Sequence, residues 1–140
     1  MRVYRIYLIR HGMTTANIEG KYVGVTDVPL CEEGIIQLEN LKEEFDYPNV
    51  GKVYSSPLQR CIQTAQTIYD DITPNIVEDL KEFNFGKYEG ASAKDVADDK
   101  EFIAWLNSGF TTKMEGAEDG KEFLDRIVNG LNQIILDMMK

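Results

Sequence analysis

Val3-Tyr4-Arg5-Ile6-Tyr7-Leu8-Ile9-Arg10-His11-Gly12-Met13-Thr14-Thr15-Ala16-Asn17 decides the reading of this chain. Residues 3–9 are rich in Val, Ile, Tyr and Leu, which suit a pleated surface, so they predict a strand. The strand runs into Arg10, His11 and Gly12, and small polar residues then open a helix. Where a strand turns sharply into a helix, free backbone N–H groups and the helix dipole gather anions. A planar, permanently charged arginine fork beside an imidazole points to phosphate chemistry with histidine as nucleophile. His11 is the sole histidine among 140 residues.

Elements of the same kind follow. Residues 31–45 predict a helix, with Ile35, Leu38, Leu41 and Phe45 at helical spacing and glutamates in its first turn. Tyr47-Pro48-Asn49 ends it, and residues 52–55 predict a short strand. Ser56-Pro57-Leu58-Gln59 is a helix-start pattern, in which Ser56 can cap, Pro57 suits the first helical position and Gln59 completes a capping box. Leu58, Ile62, Ala65 and Ile68 form the stripe of that helix. A third short strand is expected at 76–78. One or two helices follow over 92–107, with Phe102, Ile103 and Leu106 facing inward. A long helix over 118–139 buries Phe123, Ile127, Leu131, Ile134, Ile135 and Met138, and Gly130 costs it about 1 kcal/mol. Strands alternating with helices imply an α/β fold with a parallel sheet.

Length fits one domain over residues 1–140. Apolar residues make up 43% and charged residues 28%, enough for an ordinary core. The net charge of −9 argues against nucleic-acid and anionic-membrane partners. Such a chain repels phosphate in general, so a phosphate site must come from a few converging cations. Cys31 and Cys61 have neither metal-ligand nor disulfide-framework spacing and read as plain thiols in a reducing compartment. The N-terminus is no signal peptide, since Arg5 and Arg10 interrupt a short apolar run, and no segment approaches membrane-spanning length. The expectation is a cytoplasmic protein without metal or cofactor. Oligomeric state has no signature here.

Four blocks carry chemistry: Arg10-His11-Gly12 with Thr14 and Asn17; Gly24, Asp27, Pro29, Leu30 and Gly34; Ser55-Ser56-Pro57-Leu58 with Arg60, Thr64 and Ala65; and Glu82-Phe83-Asn84-Phe85-Gly86-Lys87-Tyr88-Glu89-Gly90. Their order and spacing resemble the histidine phosphatase superfamily, the phosphoglycerate mutase-like proteins. The likeness spans nearly the whole chain. The stretch 102–105, followed by Gly116-Ala117-Glu118 before Phe123 and Arg126, looks like the alpha-ribazole phosphatase-like branch. Asp119 stands where that branch often has the serine of a Gly-Glu-Ser run. A longer insertion after the acid, usual in the mutase branch, is missing.

The resemblance implies a three-layer α/β/α fold with a mostly parallel sheet, and a phosphatase acting on a small phosphorylated metabolite. His11 would attack phosphorus and become phosphohistidine, with its other ring nitrogen on a backbone carbonyl. Glu82 would protonate the leaving alkoxide and later activate water. Arg10 and Arg60 would neutralise phosphate oxygens. Thr14, Asn17, Gly12, Val23 and Gly24 would help to bind substrate. In the family a second active-site histidine stands at the end of a later strand, inside the sheet and beside the nucleophile's strand. This chain has only His11, so the expectation is a domain incomplete at its C-terminal end. Two other functions are open: a catalytically impaired module that binds phosphate or a phosphometabolite, and a phosphoglycerate mutase. Taken singly, Arg60 reads as an exposed helix cation and Glu89 as a surface carboxylate or loop support. Tyr22 and Trp105 read as core or pocket lining, and the pairs Asp70-Asp71 and Asp98-Asp99 as solvated surface.

Overall fold

The computed structural model describes all 140 residues. After the His11 segment come α1 (Thr15–Ile18), β1 (Lys21–Tyr22), α2 (Glu32–Glu44), β2 (Tyr54–Ser55), α3 (Gln59–Ile68) and β3 (Asn75–Ile76). Two 3₁₀ turns, Glu78–Leu80 and Gly86–Tyr88, precede β4 (Ala91–Ser92), α4 (Ala93–Val96), α5 (Lys100–Asn107) and α6 (Gly120–Met138). β2 and β3 pair in parallel, Tyr54 opposite Asn75 and Ser55 opposite Ile76. β1 and β4 pair antiparallel, Lys21 opposite Ser92 and Tyr22 opposite Ala91. No helix is long and apolar enough to cross a membrane.

The expected strand at 3–9 has no ladder partner. Its side chains are exposed, Val3 to 71% and Leu8 to 92%. A strand is a shared state whose hydrogen bonds come from its neighbours. Here an apolar groove of about 840 Å³ lies along residues 4–9, with Val53, Tyr54, Leu131, Ile134 and Met138 among its other walls. β-propensity at 3–9 therefore meets no backbone to pair with. Leu131, on the groove wall, and Ile135 are each 38% exposed, whereas Ile134 is buried as expected. Lys52 Nζ and the Tyr54 hydroxyl both bond to the Asp137 carboxylate, at 2.8 and 2.6 Å, and tie the end of α6 to β2.

Two apolar clusters hold the rest. The larger joins Phe83, Tyr88, Val96, Phe102, Trp105, Met114 and Ala117, with Tyr22, Phe85, Ala91 and Phe123 against it. Its rings meet edge-on, tilted or stacked, as between Phe83 and Trp105 with centroids 5.6 Å apart. Trp105 and Tyr22 are thus core. Ile103 and Leu106, expected inside, are exposed, and Trp105 takes the inward position beside Phe102. The indole N–H of Trp105 finds no acceptor. Leu30, Leu38 and Ile68 form the second cluster, where α2 meets α3. Phe102 is 1% exposed and touches Tyr22, Tyr88 and Trp105. Phe102→Ala should therefore cost about 3–5 kcal/mol in urea unfolding. A loss below about 1 kcal/mol would mean that the larger cluster is not packed as described.

Several boundaries moved for local reasons. α3 starts at Gln59, and its N-cap residue Leu58 supplies no side-chain bond. Ser56 Oγ instead accepts from Leu58 N at 3.3 Å, closing a turn before the helix. The orphan N–H of Gln59 goes to Asp27 Oδ1, 2.7 Å away, so a residue 32 positions earlier caps the helix. Asp99 is no free surface charge. It caps α5 through Phe102 N and accepts the Tyr88 hydroxyl at 2.7 Å. Gly130 has a use: its missing side chain lets α6 approach Asp79 and Leu80.

Candidate active site

His11 sits where the 3–9 segment ends and the turn into α1 begins. Its Nδ1 lies 2.6 Å from the carbonyl oxygen of Gly12. A carbonyl only accepts, so Nδ1 carries the proton and Nε2 keeps its lone pair. Gly12 N donates to Thr64 Oγ1 at 2.9 Å, and that hydroxyl donates to the Arg60 carbonyl at 2.7 Å. Thr64, read from sequence as a packing residue of α3, thereby fixes the loop that carries the histidine. A side chain on Gly12 would come within 2.8 Å of the Leu38 tip.

Burial is the largest influence on His11 and holds its pKa below the usual 6.5. The Gly12 bond opposes this, Arg60 and Arg10 push further down, and Glu82 pulls back weakly. The imidazole is therefore neutral at pH 7, as a nucleophile must be. The unfolded chain binds more protons than the folded one just below pH 6.5. This group thus contributes stability that is fully present above pH 6.5 and is lost as the pH falls through the folded value.

Arg60 is 2% exposed, not the surface cation its helix position suggests. Nη1 donates to Thr26 O at 2.8 Å and Nη2 to Gly24 O at 2.5 Å. No carboxylate lies within ion-pair distance of it. Glu82 is exposed, and its Oε1 accepts from Phe83 N at 2.8 Å. Arg126 holds the stretch that presents this acid. It donates to Asp79 O at 2.9 Å, Lys81 O at 2.7 Å and Glu82 O at 3.4 Å. Arg126 also forms a two-point pair with Glu118, at 2.9 and 2.8 Å.

His11, Arg60 and Glu82 line one hollow of about 150 Å³ with Ser56, Leu58, Cys61, Leu80, Lys81, Phe123 and Ile127. One water needs only about 10–15 Å³, so a tetrahedral anion has room. The larger groove touches His11 too, but its walls are mostly apolar, with only Arg5 and Lys52 charged. Converging charge marks the smaller hollow as the candidate site.

Other residues expected at the site lie apart from the hollow. Arg10 is exposed and does not line it, although its charge acts on His11. Thr14 is 1% exposed and forms a capping box with Asn17. Asn17 Oδ1 is occupied by Thr14 N at 2.9 Å and Thr14 Oγ1 at 3.0 Å, which leaves its amide N–H groups as donors. Val23 is half-buried and Gly24 buried, and Gly24 serves through its carbonyl on Arg60. Lys81, which adjoins Glu82, carries no sequence signal, and Cys61, which follows Arg60, reads from sequence as a plain thiol, yet both line the hollow. Arg126 acts across 44 positions and left no local signal as a support of Glu82.

The family model described as the histidine phosphatase superfamily (branch 1) matches residues 6–138. The adenosylcobalamin/alpha-ribazole phosphatase of Escherichia coli K12 is 32% identical over 136 residues, covering 92% of this chain and 67% of that one. A 2,3-bisphosphoglycerate-dependent phosphoglycerate mutase of Thermoplasma acidophilum is 35% identical over 108 residues, 75% of this chain and 51% of that one. Among solved structures, the alpha-ribazole phosphatase of Shigella flexneri superposes with a TM-score of 0.82 at 28% identity, over 94% of this chain and 67% of that one. The protein TTHB049 of Thermus thermophilus gives a TM-score of 0.73 at 32% identity, over 88% of this chain and 68% of that one. The chain spans about two thirds of the length of the first relatives it matches, 66% and 67%. With the matched model covering residues 6–138, nearly the whole chain, the chain belongs to branch 1 of the histidine phosphatase superfamily.

Proposed function

We propose that this chain carries the phosphoryl-transfer site of a phosphatase acting on a small phosphorylated metabolite, with His11 as nucleophile. The observation that carries it is Arg60. A guanidinium this buried, with no carboxylate partner, lines the same hollow as a neutral imidazole and an acid. Buried charge calls for a counter-charge, and a phosphoryl group supplies one where the chemistry needs it.

In the first step His11 Nε2 forms a bond to phosphorus. The ester P–O bond breaks, and the alkoxide takes a proton from the Glu82 carboxylic acid. In the second, Glu82 takes a proton from water, the oxygen of that water bonds to phosphorus, and the P–N bond breaks to release inorganic phosphate. Arg60 bears the charge of the phosphoryl oxygens throughout. Arg10 adds to the field from outside the hollow.

Incubation of the 140-residue chain with a ³²P-labelled phosphomonoester and rapid quenching tests this. The expected label is acid-labile, alkali-stable and absent from His11→Ala. No label in the wild type, with phosphate bound in calorimetric titration, would overturn turnover and leave a binding module. That second reading is favoured by the presence of only one histidine. Neither label nor binding would overturn both. Interconversion of phosphoglycerates faster than their hydrolysis would assign a mutase instead.

A further inference from the structure

We infer that Glu89 is a positioning residue that sets the Arg60 fork against His11 by holding the Gly24–Thr26 loop. The inference rests on the reading of His11 and Arg60 as one phosphate site.

Four contacts from the loop end on this one carboxylate. Gly24 N lies 3.1 and 3.0 Å from its two oxygens, and Thr26 N and Thr26 Oγ1 each donate to Oε1 at 2.8 Å. Phe85 N adds a longer contact at 3.4 Å. The same two loop residues give their carbonyls to Arg60, Thr26 O to Nη1 and Gly24 O to Nη2. Gly24 and Thr26 thus each hand an N–H to Glu89 and a C=O to Arg60. No direct ion pair joins the two charged groups.

A guanidinium is planar. Once both Nη atoms are fixed on carbonyls, the plane and the direction of every remaining N–H are fixed too. Those two carbonyls therefore aim Arg60. Bonds from backbone N–H groups to a carboxylate are charge-assisted, so Glu89 holds the N–H side of the loop as Arg60 holds its carbonyls. Glu89 does not line the hollow, so it is not a second acid. Read from sequence as a surface carboxylate or loop support, it supports the loop whose carbonyls orient the Arg60 guanidinium.

Because His11 is the sole histidine, its imidazole NMR signals report the site without assignment or turnover. The charges acting on it are Arg60, Arg10 and Glu82, with Lys81 also lining the hollow. The full 140-residue chain is titrated as wild type, Glu89→Ala, Glu89→Gln, Arg60→Gln and the Glu89→Ala/Arg60→Gln double variant. Arg60→Gln is expected to raise the His11 midpoint, because a repelling cation is gone. Glu89→Ala is expected to raise it by most of that shift, Glu89→Gln by less, and the double variant no further than Arg60→Gln alone. Loss of a nearby carboxylate acting directly would move the midpoint the other way, downward. A downward shift, no shift, or an equal effect of Glu89→Ala with and without Arg60 would overturn the inference. Should Arg60→Gln itself leave the midpoint unmoved, the shared site fails first, whatever Glu89 does. If Arg60→Gln does not fold, Glu89→Ala and Glu89→Gln decide by the sign of their shifts.

Discussion

Arg60→Ala is expected to lose on two counts at once, about 2–5 kcal/mol of stability and about 10²–10³ in the rate of His11 phosphorylation. The stability loss follows from two carbonyls that give up their donor, Gly24 O inside the fold and Thr26 O on an exposed residue. Each buried acceptor left unsatisfied costs about 1–3 kcal/mol. Thr26 O keeps a bond from Val28 N at 3.0 Å, so its share falls at the low end. The rate loss is that of removing one preorganised donor to developing charge, roughly 2.7–4 kcal/mol. Arg60→Lys should separate the two. An ammonium keeps the charge but has no planar fork to bridge both carbonyls, so binding of phosphate should recover more than stability does. Urea unfolding and single-turnover labelling read the two effects. An Arg60→Ala chain that unfolds and labels like the wild type would remove the basis for the proposed chemistry.

Much of this site was legible because its chemistry is local in sequence. The turn Arg10-His11-Gly12 follows an apolar run, and the imidazole rests on the carbonyl of the next residue. Helices α2, α5 and α6 follow their apolar spacing to within a few residues, since periodicity and capping are short-range. Ser92 and Asp99 cap α4 and α5, although the sequence alone reads Asp99 as solvated surface.

What could not be read depends on partners far along the chain. Whether residues 3–9 form a ladder depends on a neighbouring strand, not on their own β-propensity. Asp27 caps α3 from another loop, in place of the Ser56 that stands next to the helix. Arg60 looks like a surface cation on its helix, and only the fold shows two carbonyls 34 and 36 positions earlier closing over it. The inward faces of α5 and α6 shifted for the same reason. Trp105 turns in because Phe83, Phe85 and Phe110 surround it, and Leu131 stays out because a groove lies beside it.

Gly24→Ala is expected to be as damaging as the loss of the arginine, although it adds one methyl group. A Cβ at Gly24 would stand 1.7 Å from the Phe83 carbonyl oxygen and 2.9 Å from its carbon. Both are backbone atoms next to Glu82, so no rotamer change relieves the overlap. The loop must retreat, and retreat breaks the N–H bonds to Glu89 and the carbonyl bond to Arg60 together. Overpacking alone costs about 1–3 kcal/mol. With a bond to each charged group lost, the total should exceed about 3 kcal/mol, and affinity for inorganic phosphate should fall with it. Gly51→Ala is the control, because nothing lies within 4 Å of a Cβ there. It should change stability by no more than about 0.5 kcal/mol. If the two variants melt together and bind phosphate alike, the loop does not press on the acid stretch, and the joint placement of Arg60 and Glu82 around His11 loses its physical support.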